Sequence, residues 1–122
     1  MEFDNSRPIF QQIADEFKKM IASGKLKPGS KVSSVRELSS AMSVNPNTVQ
    51  KSFSFLEQQG LMYTERTSGR YITSNEDAIR TLKKELLNSY VSDFLNEISA
   101  LGCNQDEAIE LIRDFLSVKE RN

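Results

Sequence analysis

At 122 residues, with 38% apolar and 27% charged residues and a formal net charge of −1, the chain has room for one compact domain or one small domain with an appendage, since a single core takes about 100–150 residues. This is the composition of a globular protein and not of a disordered tail; no apolar run approaches the roughly 18–20 residues of a membrane helix, and Met1-Glu2-Phe3-Asp4-Asn5 lacks the basic patch and apolar core of a signal peptide. With no His, one Cys and five scattered glycines, imidazole chemistry, thiolate or histidine metal sites and phosphate loops are excluded, so no catalytic residue, metal or cofactor is expected.

Pro8 suits a first helical residue, and Ile9, Ile13, Phe17, Met20 and Ile21 follow at helical spacing up to Gly24. Lys27-Pro28-Gly29-Ser30 is turn chemistry. A short second helix opens at Ser34-Val35-Arg36-Glu37, a capping box, and runs to about Met42 with Leu38, Ala41 and Met42 facing inward. Ser43-Val44 makes a tight turn. Asn45 then caps a third helix with Pro46 in its first turn, Val49, Phe53 and Leu56 on its apolar side and Gly60 as its stop.

Past Gly60 the period changes from helical to alternating. Leu61-Met62-Tyr63-Thr64-Glu65 and Arg70-Tyr71-Ile72-Thr73 read as short strands around an Arg66-Thr67-Ser68-Gly69 turn. Such a ribbon is marginal alone and must pack on the helices before it. From Asn75 the helical period returns: Ile79, Leu82, Leu86, Tyr90, Phe94, Ile98 and Leu101 recur every three or four residues, and Leu101-Gly102 ends the run. Asn104 to Glu107 forms a second capping box for a last helix bearing Ala108, Ile112 (or Leu111), Phe115 and Leu116. The fold expected is mainly α with a small β-hairpin: an N-terminal winged helix-turn-helix over residues 1–74, then a two-helix C-terminal dimerisation segment over 75–122.

The near-zero net charge hides an asymmetry. Residues 1–74 carry ten Lys/Arg against seven Asp/Glu, whereas 75–122 carry six against ten, so a basic module is joined to an acidic one that need not touch a polyanion. A helix-turn-helix puts the N-terminal side chains of its second helix against base edges in the major groove. Asn45, Asn47, Thr48, Gln50 and Lys51 crowd that position. Amides can pair with adenine, Thr can bond bases or phosphates, and Lys can meet phosphate or guanine. Free N–H groups and the dipole at the helix N-terminus favour phosphate as well. The hairpin tip Arg66-Thr67-Ser68-Gly69-Arg70 brings two guanidinium groups suited to the minor groove or neighbouring phosphates. Asn45 is first of all a cap, Arg36 reads equally as a solvated helix residue, and Gly69 is a common hairpin residue wherever φ is positive.

The segments Arg7-Pro8-Ile9-Phe10-Gln11-Gln12-Ile13-Ala14, Val32 to Ser39, Val44-Asn45-Pro46-Asn47-Thr48-Val49-Gln50-Lys51, Leu56 to Leu61 and Ser68-Gly69-Arg70-Tyr71-Ile72 stand in one order over about residues 7–73. Together they resemble the GntR family of transcriptional regulators, and the Asn-Pro-Asn-Thr-Val run resembles its YtrA-like branch. The resemblance implies DNA contacts at Arg36, Asn45, Asn47, Thr48, Gln50 and Gly69. It also implies a repressor acting on its own operon and a neighbouring ABC-transporter operon. Ser33 replaces a usual proline of the family, Pro46 and Gln50 stand where many relatives have arginine, and Thr67 replaces the first glycine of the usual wing loop, so base preference does not carry over.

Residues 75–122 are too few for the large effector-binding or aminotransferase-like domains of other branches. Two helices cannot bury their own apolar stripe, so Ile79, Leu82, Leu86, Tyr90, Phe94, Ile98, Leu101, Ile112 and Phe115 are expected at a homodimer interface; the same stripe could pack back on the winged domain. A two-fold dimer implies an inverted-repeat operator on double-stranded DNA with half-sites roughly 34–36 Å apart. A winged-helix protein-interaction module and a sequence-independent architectural DNA binder share this architecture. The lone Cys103 cannot form an internal disulfide, which points to a reducing cytoplasm, and reads as an idle surface thiol. No membrane partner is expected, and no residue identifies a small-molecule effector.

Overall fold

Ile13, Ala14, Phe17 and Ile21 line one side of α1 (Ile9–Ser23), and Val49, Ser52, Phe53 and Leu56 line the facing side of α3 (Pro46–Gln58). All eight are buried. In this computed structural model, which describes residues 2–121 and side chains through residue 119, the two helices form the centre of the N-terminal unit. Ala14 and Ser52 are small enough to let them approach closely, and the rings of Phe17 and Phe53 meet edge to face at 5.5 Å. The Ser52 hydroxyl is satisfied by donating to the carbonyl of Phe10 at 2.5 Å. α2 (Val35–Met42) packs on α3 across the three-residue turn 43–45.

Pro8 is the N-cap of α1 and not its first helical residue: its ψ of 136° is extended, while its carbonyl accepts from Gln11 and Gln12. Upstream, the buried Gln12 amide holds the N-terminal strand of chain. Its Oε1 accepts from the Asp4 N–H at 2.7 Å, and its Nε2 donates to the carbonyls of Asp4 and Arg7. Both ends of the amide are thereby used.

The capping box of α2 forms as expected, with the Ser34 hydroxyl accepting from the Glu37 N–H at 3.1 Å. The expected inward face is corrected at one position. Ala41 is exposed and Ser39 is buried, because 35, 38, 39 and 42 share a helical face and 41 lies off it. The Ser39 hydroxyl donates to the Arg36 carbonyl. Ser43, which ends α2, has φ 54° and is the one non-glycine with positive φ among the described residues.

β1 (Met62–Glu65) and β2 (Gly69–Ile72) pair antiparallel, with Met62 opposite Ile72 and Thr64 opposite Arg70. The chain before α2 adds to this ribbon: the Val32 N–H donates to the Arg70 carbonyl and the Ile72 N–H to the Ser30 carbonyl, both at 2.9 Å. Met62, Thr64, Arg70 and Ile72 share the face toward α3, and Tyr63 and Tyr71 stack at 5.6 Å on the other.

α4 (Glu76–Ser99) starts at Asn75, whose side chain accepts from the N–H groups of Asp77 and Ala78. It ends at Ser99, two residues short of the expected Leu101. There the Gly102 N–H turns back to Ser99 and the Cys103 N–H to Ile98, with Gly102 at φ 84°. Leu101 therefore lies in a turn, 86% exposed. α5 (Gln105–Arg121) opens with the second capping box, Asn104 and Glu107 exchanging side-chain and backbone bonds. The chain divides into two compact units, Met1–Lys83 and Lys84–Asn122. Among the described residues no helix is long and apolar enough to cross a membrane.

Candidate nucleic-acid interface

The start of α3 is built by local chemistry. Asn45 caps the helix by accepting the Asn47 N–H at 2.8 Å, and its carbonyl takes the N–H groups of Thr48 and Val49. Pro46 has no N–H to offer. The expectation of free backbone donors for phosphate at this helix end is therefore corrected, because the first-turn N–H groups are already bonded within the chain. What remains for a ligand is the helix dipole and the side chains. Asn47, Gln50 and Lys51 are exposed and Thr48 is half-buried, while Arg36 of α2 is also exposed. Lys51 extends over the Phe10 ring, its Nζ at 4.3 Å from the centroid, an arrangement that steadies the cation without removing it from solvent.

At the wing, Arg66, Ser68 and Gly69 are exposed at the tip. Gly69 has φ 120°, and a Cβ there would stand 3.2 Å from Lys31 Cε, so both conformation and space favour glycine. The Ser68 hydroxyl accepts from the Tyr71 hydroxyl at 2.8 Å, which fixes one side of the loop. Lys31, exposed and directly beside Gly69, adds a cation that sequence reasoning passed over. It is brought there by the pairing of residues 30–32 with β2.

Arg70 is placed differently from the other tip residues. It faces inward, its side chain 19% exposed, and its Nε donates to Glu57 Oε1 at 2.8 Å. Its Nη1 donates to Gln50 Oε1 at 3.1 Å, and its guanidinium carbon lies 5.1 Å from the Phe53 ring centroid. Thr64 also donates its hydroxyl to Glu57. Burial pushes the Glu57 carboxyl up, but the Thr64 hydrogen bond and the bond and charge of Arg70 outweigh it, so the group sits below its ordinary value. The wing is thus latched to α3 through a strand arginine. The alternation of β2 carried the signal: Arg70 lies two residues before the buried Ile72 and must share its face.

The residues of the C-terminal stripe fall into two groups. Ile79 is half-buried and Leu82 buried within the first unit. In the second unit, Leu86 and Ile98 are half-buried, while Tyr90, Phe94, Leu101, Ile112 and Phe115 are exposed, Phe115 at 69%. Leu87, Val91, Ile109, Leu111 and Leu116 are exposed beside them. On α5 the positions 108, 111, 112, 115 and 116 form one apolar face of which only Ala108 is buried.

Residues 9–72 match the bacterial regulatory proteins of the gntR family. The chain is similar to the uncharacterized HTH-type transcriptional regulator YhcF of Bacillus subtilis, 34% identical over 93% of this chain and 94% of that one. It is 38% identical to the HTH-type transcriptional repressor YtrA of the same organism, over 73% of this chain and 72% of that one. A solved GntR family transcriptional regulator from Listeria monocytogenes superposes with a TM-score of 0.85 at 34% identity, covering 92% of this chain and 98% of the other. The AraR DNA-binding domain, solved in complex with operator ORR3, superposes with a TM-score of 0.53 at 29% identity, covering 60% of this chain and 86% of that one. With a winged helix-turn-helix of this build, a family match over residues 9–72 and a relative matched over 94% of its length, the chain belongs to the GntR family of bacterial transcriptional regulators and is not an enzyme.

Proposed function

We propose that the chain is a homodimeric repressor that binds an inverted-repeat operator on double-stranded DNA in the cytoplasm. Residues 1–74 read the DNA and 75–122 form the dimer. The observation that carries the reading is the capped start of α3, where Asn47, Gln50 and Lys51 stand exposed with Thr48 half-buried among them, and Arg36 of α2 is exposed as well. Two amides, a hydroxyl and cations at a helix start suit base edges and phosphates of a major groove. Arg66, Ser68, Gly69 and Lys31 at the wing supply contacts to neighbouring phosphates. A protein-docking surface would show exposed aromatic side chains there instead.

The second unit supports the dimer. Tyr90 and Phe94 of α4 and Ile112 and Phe115 of α5 are left exposed by their own chain, and a second copy presenting the same residues covers them in a two-fold arrangement. The two α3 helices then meet half-sites about one helical turn apart. No cofactor is needed. The YtrA-like resemblance makes the chain's own operon and an ABC-transporter operon the first targets to examine.

The test is a genome-wide DNA pull-down with the purified protein at near-physiological salt, read by sequencing. Enrichment of a few inverted repeats, one near the protein's own gene, is the expected result. Diffuse recovery without a motif would favour an architectural DNA binder, and no recovery a protein-interaction module.

A further inference from the structure

Gln50 carries an amide that is chemically ambiguous toward DNA. Its oxygen accepts, its nitrogen donates, and a free Gln side chain can present both to adenine. In this chain the ambiguity is removed from the wing side. Arg70 Nη1 reaches Gln50 at 3.1 Å, and a guanidinium has no acceptor, so only the amide oxygen can face it. The NH2 end is then the one left without a protein partner among the described residues. Arg70 is itself held, by the Glu57 carboxylate on one nitrogen and the Phe53 ring on its face, so it is a rigid post and not a flexible neighbour.

We propose that Arg70 is a positioning residue that sets the base preference of Gln50. By occupying one lone pair of the amide oxygen it biases Gln50 toward donating, which suits guanine, with acceptors at both O6 and N7, or thymine through O4. Adenine, whose N6 amine would have to share the amide oxygen with Arg70 when N7 meets the NH2 end, is disfavoured at that position. The wing thus contributes to major-groove specificity through a residue that touches no DNA. The proposal rests on the reading of α3 as the DNA-reading helix.

Two substitutions separate positioning from folding. Gln50→Glu keeps an acceptor for Arg70 and strengthens that contact with a charge, but removes the donor. Arg70→Met removes the contact and keeps much of the stem's packing. The full-length wild type and both variants are used to select binding sites from a randomised duplex library. The wild type is expected to select guanine or thymine at one position of each half-site. Gln50→Glu should shift that position to cytosine, whose N4 amine donates, and leave the others unchanged. Arg70→Met should lower discrimination there by about tenfold and admit adenine. A purely structural role for Arg70 would weaken binding evenly and leave the profile of selected bases as it was. That outcome, or a wild-type preference for adenine at the Gln50 position, overturns the proposal. Failure of the wild type to select any motif would instead remove the DNA-reading assignment beneath it, and the proposal with it.

Discussion

Arg70 of β2 and Glu57 in the last turn of α3 are joined by an Nε–Oε1 bond of 2.8 Å, thirteen residues apart in sequence. Their side chains are largely covered, and the Thr64 hydroxyl shares the same carboxylate oxygen. Replacing Glu57 by Ala leaves a covered guanidinium and a hydroxyl without their acceptor. A loss of about 1–2 kcal/mol in urea unfolding is expected, moderated by the remaining exposure of the pair. The pH response follows from the depressed carboxyl. Because the folded group titrates below its ordinary value of 4.5, its stabilisation is complete above that pH and is lost as pH falls through the lower folded value. Glu57→Ala should lack this part of the acid loss; an unchanged acid profile would show that the pair does not stabilise the fold.

Ser43 holds the turn between α2 and α3 at φ 54°, a conformation that disfavours any residue with a Cβ by about 1–2 kcal/mol. Ser43→Gly relieves this and gives back part of the gain through the freer unfolded chain. A net stabilisation of about 0.5–1 kcal/mol is expected, read as a rise of a few degrees in Tm. Ser43→Val should lower Tm. A glycine variant that melts earlier would mean that the serine side chain stabilises the turn.

Phe94 of α4 and Phe115 of α5 are exposed apolar residues of the second unit. Aspartate at either position places a charge where the proposed partner copy must pack, and neither is needed inside the N-terminal unit. Sedimentation of Phe94→Asp or Phe115→Asp should give monomers whose winged unit still folds and whose operator affinity is abolished. Tight-binding dimers from both variants would place the interface elsewhere.

The proposed interface puts Arg36 and Thr48 on the DNA face and Lys51 and Arg66 at phosphates. Arg36→Ala and Thr48→Ala should weaken operator binding, by about 1–3 kcal/mol where a base contact is lost. Lys51→Ala and Arg66→Ala should weaken specific and non-specific DNA alike and each reduce the slope of log K against log salt by about 1. Titrations at several salt concentrations distinguish the two groups. Normal affinity in Arg36→Ala and Thr48→Ala would mean that a different face meets the DNA.

The helix starts were legible because capping is written within three or four residues: Ser34 with Glu37, Asn45 with Pro46, and Asn104 with Glu107 all stand as the sequence implies. The α1 and α3 core was legible for a similar reason, since its apolar residues recur at the helical period. Ala41 was misplaced by weighing its apolarity above its angular position. The bonded first-turn amides of α3 were missed because a cap that satisfies a donor also withdraws it from a ligand. The latch from Arg70 to Glu57 and Gln50 spans a hairpin, and no local pattern names which long polar side chains will meet across one. Only the strand alternation hinted that this arginine pointed inward.

The pairing of residues 30–32 with β2 has a consequence for how these molecules coexist when crowded. A strand with a bare edge invites backbone pairing with another chain, which is how sheets grow between molecules. β2 has β1 along one side and the Ser30–Val32 segment along the other, so its backbone has no edge to share. The edges left to the ribbon belong to β1, only four residues long and ending in Glu65, and to the short Ser30–Val32 segment. Copies brought close together therefore have little strand edge through which their wings could pair.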